Sequence, residues 1–114
     1  MYKLAVPVTR KPLHFLGSSL DDLRAFPDEA RRDAGFSLDF VQRGLDPLNW
    51  KSMQAVGPGV KEIRVRDTAG VFRVIYLATR PEGVYVLHCF QKKTQKTRKA
   101  DIDLAASRLR LIGG

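Results

Sequence analysis

The stretch Val60–Phe90, VKEIRVRDTAGVFRVIYLATRPEGVYVLHCF, decides the fold. Its first segment, KEIRVR, alternates polar and apolar residues. Ile63 and Val65 point one way and Glu62, Arg64 and Arg66 the other, as in a half-buried strand. DTAG is a turn, and VFRVIYLAT is rich in the β-branched and aromatic residues that strands favour. RPEG turns the chain again, into VYVLHCF. Three strands joined by two tight turns make an antiparallel meander.

Helical patterns flank this meander. After Gly17, Ser19 can cap a helix, with Asp22 three residues on where an acidic side chain suits the positive helix end. Leu20, Leu23 and Phe26 give that helix its apolar stripe. Pro27 suits the first turn of a second helix, with Asp28 and Glu29 behind it. Ala30, Ala34, Leu38 and Val41 recur at three- and four-residue spacing before Gly44 stops the pattern. Beyond the meander, a helix over about Ala100–Ile112 carries the stripe Ile102, Ala105, Leu109 and Ile112, with Asp101 and Asp103 in its first turn. A short N-terminal strand, within Lys3–Val8 or Pro12–Leu16, is expected to complete the sheet. With no internal repeat and no low-complexity linker, residues 1–114 read as a single domain. The expected class is α+β: a small, mainly antiparallel sheet, an N-terminal helical hairpin and a C-terminal helix, with one sheet face covered by helices and the other exposed.

Composition bounds the function. Apolar residues at 44% and charged residues at 28% are ordinary for a globular chain. The charge balance is not: 20 Lys+Arg against 12 Asp+Glu leave a net charge of +8. Such an excess attracts polyanions, whether nucleic acid, an anionic membrane surface or an acidic protein. Lys3, Arg10 and Lys11 interrupt the N-terminus, so no signal-peptide apolar region forms. No stretch reaches the roughly 18 apolar residues of a membrane span. Cys89 is the only cysteine, which excludes an intrachain disulfide and a cysteine-rich zinc site. A cytoplasmic protein without a membrane partner is the expectation. Metal-ligand spacing, a Gly-rich phosphate loop and a nucleophile elbow are all missing from the sequence, so no metal or cofactor is expected.

The charge is densest in QKKTQKTRK, which begins where the last strand ends. Arg64, Arg73, Lys92, Lys93 and Lys96 would gather on the exposed sheet face, with Arg66 at its polar border. Arginine forks grip phosphate bidentately and lysine adds a point charge. A lysine crowded by cations or partly desolvated has a lowered pKa and can move protons near neutrality. RNA brings its own nucleophile, the 2′-hydroxyl. A metal-free site would then need a base, cations for the phosphorane and an acid for the leaving oxygen. His88 could supply the acid or base, and Phe90 could stack on a displaced base. Each residue has a plainer reading. Arg73 can form a structural salt bridge with Glu62, His88 can be a satisfied core histidine, and Phe90, Trp50 and Cys89 can simply be core.

Three segments carry a family resemblance: FLGSSLDDLRAFPDEARRDAGFSLDFVQRGLDP, VKEIRVRDTAGVFRVIYLA and VYVLHCFQKKTQKTRKADIDLAASRLR. In that order they resemble the phage-related branch of the RelE/HigB toxin superfamily, over about Phe15–Arg110. The resemblance implies a small antiparallel sheet with an N-terminal helical pair. It also implies a type II toxin that cleaves mRNA on the ribosome without a metal, by 2′-hydroxyl attack that leaves a 2′,3′-cyclic phosphate. Arg73 then matches the arginine at the scissile phosphate, and Lys93 the basic residue that protonates the leaving group. Arg64 falls where RelE-like members carry a catalytic lysine and is expected to bind phosphate instead. Lys92 and Lys96 match phosphate or ribosomal-RNA contacts. No tyrosine stands in TQKTRKADIDLAASRLRLI, where RelE uses one, so His88 or a low-pKa lysine would take the base role. The implied partners are a cognate antitoxin of the helix-turn-helix type, the ribosome and mRNA. The alternatives are a ParE-like inhibitor of DNA gyrase and a non-catalytic phage module that binds nucleic acid.

Overall fold

The computed structural model describes residues 10–113. Its elements run β1 (Leu13–Phe15), α1 (Ser19–Arg24), α2 (Asp28–Gln42), β2 (Trp50–Ser52), β3 (Val60–Asp67), β4 (Gly70–Leu77), β5 (Val84–Lys92) and α3 (Lys99–Ile112). They build a five-stranded sheet in the order β1-β5-β4-β3-β2. The meander β3–β4–β5 is antiparallel, as its alternation requires, and β2 extends it antiparallel to β3. β1 joins the other edge parallel to β5, which makes the sheet mixed. The N-terminal strand thus falls in the Pro12–Leu16 window; the Lys3–Val8 alternative lies outside the described residues.

The β3–β4 turn is two residues long, with Asp67 opposite Gly70. Asp67 accepts the Ala69 N–H at 2.7 Å, and Gly70 supplies the positive φ of 141° that this turn needs. The helical hairpin forms where its apolar stripes lie. α2 buries Ala30, Ala34, Leu38 and Val41 against Ile63, Val65, Phe72, Val74 and Tyr76 of the sheet. Each large aliphatic side chain so buried contributes about 1.5–3 kcal/mol. The start of α1 differs from the expected cap. Ser18 is the N-cap residue, and Ser19 is the first helical residue, its hydroxyl donating to the Val86 carbonyl at 3.2 Å.

The open sheet face is a correction. α3 packs on it: Ile102, Ala105 and Leu109 meet Val60, Ile75, Leu77 and Leu87. One face is therefore covered by α1 and α2, and the other in part by α3. The physical sign is in β4, where VIYL offers apolar side chains to both faces, as strands with two buried faces do. A register shift opposite Ile75/Tyr76 skips Leu87 in the pairing of β5 with β4. This β-bulge sends both Leu87 and His88 to the α3 side, re-aiming two consecutive residues to one face. Among the described residues no helix is long and apolar enough to cross a membrane.

A basic cleft at the end of the sheet

α3 covers only half of its sheet face. The other half carries side chains of the opposite character. Arg64 on β3 stands directly across from Arg73 on β4, and Val71 across from Lys92 on β5. The β3–β4 turn makes Arg64 and Arg73 a non-hydrogen-bonded pair, the kind whose side chains approach most closely. Like charges placed so oppose folding unless something negative offsets them.

Arg64, Arg66, Arg73, Lys92 and Lys93 line one cleft of about 310 Å³, together with Val71, Thr94 and Gln95. That is five cations and no carboxylate on the walls. The negative charge lies behind them. Glu62 is fully buried, and its Oε1 sits 3.2 Å from Arg73 Nε. The contact is an ion pair in distance, but neither atom is aligned for a hydrogen bond. Arg73 also donates through Nη1 to the Phe72 carbonyl at 3.2 Å. Arg73 thus answers both readings at once: it is salt-bridged to Glu62, and it faces the cleft. Arg64 Nε is buried with no hydrogen-bond partner among the described residues.

The electrostatics follow from this crowding. Burial pulls the Arg73 guanidinium below its ordinary value against the pull of Glu62, and Arg64 and Arg66 push the same way as burial. The Lys92 ammonium is lowered first by desolvation and next by the Arg73 charge, with Lys51 and Arg64 adding to it and Glu62 opposing. Lys92, expected as a phosphate contact, thus stands among other cations.

The remaining candidates lie elsewhere. His88 is buried, and its Nε2 donates to Asp101 Oδ1 of α3 at 2.7 Å. Phe90 stacks on the His88 ring at 4.6 Å between centroids and packs with the α3 core. Neither residue lines the basic cleft. Lys96 is exposed on the loop between β5 and α3, outside the cleft walls. Two groups escaped sequence reasoning. Thr97 donates its hydroxyl to Glu62 Oε2 at 3.2 Å, which ties the Lys93–Arg98 loop to the floor beneath Arg73. Asp101, expected only to complement the helix end, turns inward to His88, with Arg98 Nε at 3.4 Å from its other oxygen. Among the described residues no group of three His, Cys, Asp or Glu side chains could hold a metal ion.

The family model described as "Phage derived protein Gp49-like (DUF891)" matches residues 21–110. The chain belongs to this family. It is a phage-derived family within the RelE/HigB-like clan of toxin–antitoxin toxins, and membership implies an antitoxin as partner. The matched span runs from α1 through all five cleft cations to the last turn of α3. No curated protein matches the chain.

Proposed function

We propose that this Gp49-like chain is a type II toxin that cuts mRNA on the ribosome. One observation supports the reading above the others: Arg64 and Arg73 oppose each other across two strands in a cleft with no carboxylate on its walls. A phosphate diester between them would relieve the repulsion and accept both guanidinium forks. Lys92, already lowered by burial and by Arg73, takes the proton from the RNA 2′-hydroxyl. The 2′-oxygen attacks phosphorus, and Arg64 and Arg73 hold the charge that builds on the phosphorane oxygens. The bond from phosphorus to the 5′-oxygen then breaks as Lys93 hands that oxygen a proton. The products are a 2′,3′-cyclic phosphate and a free 5′-hydroxyl. Arg66 and the exposed Lys96 contact the RNA backbone outside the reacting phosphate. His88 acts through Asp101 in seating α3, rather than on the substrate.

A helix-turn-helix antitoxin is the partner that would hold this cleft in check, and mRNA in the ribosomal decoding site its substrate. The test maps 5′ ends of cellular mRNA within minutes of inducing the wild type, Lys92→Ala and Lys93→Ala. Cleavage inside translated codons by the wild type alone is the expected result. Growth arrest with intact mRNA would refute it and point to gyrase inhibition. An absence of both arrest and cleavage from well-expressed, folded protein would leave a nucleic-acid-binding phage module.

A further inference from the structure

α2 ends at Gln42, and Gly44 turns the chain away with a left-handed φ of 81°. Beside this helix end a cavity of about 160 Å³ remains, with Val41 and Leu45 on one side and Tyr76 and Ala78 on the other. Ala78 follows directly on β4 and is too small to fill the space. The register sets Lys61 of β3 directly across from Tyr76, and both lie on the cavity wall. Tyr76 belongs to the core beneath α2, and none of the residues lining this cavity lines the basic cleft.

The polar groups of the cavity are unequally used. The Tyr76 hydroxyl is buried with no hydrogen-bond partner among the described residues. Burial, and next the Asp46 charge, push this phenol up, so at neutral pH it is a donor. The Lys11 ammonium donates to the Ala78 and Arg80 carbonyls at 2.8 and 2.9 Å. Those two bonds fix it in place, and its third proton has no partner among the described residues. The Lys61 ammonium stands 2.9 Å from Asp46 Oδ1, which neutralises that carboxylate. Two ammonium groups against one carboxylate leave the lining one positive charge in excess.

Size and charge together specify the guest. An apolar protein cavity of about 150 Å³ holds a benzene ring, so this space suits one ring or a short branched chain. We infer that the cavity binds a small monocarboxylate with an apolar body. The body rests on Val41, Leu45 and Ala78, and the carboxylate accepts from the Tyr76 hydroxyl and the Lys11 ammonium. A carboxylate has an oxygen for each of these donors, and its charge matches the single excess cation. An unpartnered buried hydroxyl opposes folding, and the bound oxygen removes that penalty. A water could serve Tyr76 but would leave the apolar wall without a partner. Inorganic phosphate lacks an apolar body and suits the basic cleft instead. The inference stands whether or not the cleft cuts RNA.

The experiment titrates the full chain, isotopically labelled for amide NMR, with benzoate. The expected result is saturable shifts of the Leu45, Lys61 and Ala78 amides with a Kd of about 1 mM, an ordinary efficiency for so small a molecule. Tyr76→Phe should weaken binding about tenfold, the loss of one hydrogen bond to a charged group. Ala78→Leu, which fills the space, should abolish it. Benzyl alcohol, of similar size but uncharged, should bind about tenfold more weakly than benzoate. No saturable shift in the wild type would overturn the proposal, as would undiminished binding by either variant. Shifts confined to Arg64, Arg73 and Lys92 would also overturn it, because they would put benzoate on the basic cleft. Equal binding of benzyl alcohol would overturn the carboxylate class and leave a merely apolar cavity.

Discussion

Replacing Glu62 by glutamine tests how the cleft is held together. Glu62 is fully buried, stands 3.2 Å from Arg73 Nε and accepts the Thr97 hydroxyl at 3.2 Å. Glutamine keeps the shape and one acceptor but removes the charge. Arg73 is then a buried cation facing Arg64 and Lys92 with no counter-charge. Removing one partner of a buried pair costs about 3–5 kcal/mol. Arg73 borders solvent through the cleft, which places the expected cost at the lower end, about 3 kcal/mol. At roughly 4 °C per kcal/mol for a domain of this length, Tm falls by about 12 °C. A second signature separates this cause from general disruption. Inorganic phosphate binding between the Arg64 and Arg73 guanidinium groups should return part of the loss, about 2.7 kcal/mol at a hundredfold excess over Kd. Thermal unfolding of Glu62→Gln in phosphate and in chloride of equal ionic strength reads both effects. A Tm within about 2 °C of wild type would refute the buried-pair argument, since that shift corresponds to well under 1 kcal/mol. Equal Tm values in the two salts would refute the anion site.

Other perturbations follow from single side chains. Lys92 titrates lower in the folded chain than in the unfolded one, so the unfolded chain binds its proton more firmly and stability rises with pH across that window. Lys92→Met should therefore be more stable than wild type near neutrality, with the gap closing in the alkaline range; urea unfolding at both pH values checks it, and a gap that widens with pH is the contrary result. Tyr76 has a fully buried hydroxyl without a partner among the described residues, so Tyr76→Phe should leave stability within about 1 kcal/mol of wild type or raise it. A larger loss in urea unfolding would mean that the hydroxyl is bonded after all. Burial pushes the Cys89 thiol up to about 12, so iodoacetamide should modify it only as fast as the chain unfolds. Rapid labelling of the folded protein would contradict its place in the core.

The legible part of this fold is the part written in periodicity. Period-2 alternation in KEIRVR placed Ile63 and Val65 against α2 and left Glu62, Arg64 and Arg66 on the other side, where they lie. The same alternation allowed Glu62 to pair with Arg73, because one tight hairpin makes them diagonal neighbours. Periodicity fails at the bulge. No glycine or proline marks Leu87, so strict alternation would send Leu87 and His88 to opposite faces, whereas both reach α3. It fails also for α3, whose stripe says that one helix face is buried but not against which sheet face. β2 offers too little pattern to read in Trp50–Ser52; its Trp50 ring is instead covered by the Lys61 ammonium at 4.3 Å.

Dividing one sheet face between α3 and the cleft has a consequence for how stability and function trade against each other. Ile75 and Leu77 meet α3, while Arg73, one step of the same strand face away, meets only charge. Two buried acids fasten the boundary from beneath: Glu62 holds Arg73 and Thr97, and Asp101 holds His88 and Arg98. They anchor the C-terminal end of the Lys93–Arg98 loop without placing a carboxylate on the cleft wall. The cations are thus fixed in position before any anion arrives, at the cost of standing repulsion in the free protein. Each substitution that removes a cation other than Arg73, whose loss would strand the buried Glu62, should strengthen the fold and weaken the anion site together. A partner that supplies negative charge to the rim acts like the anion itself, stabilising the fold while competing for the same cations.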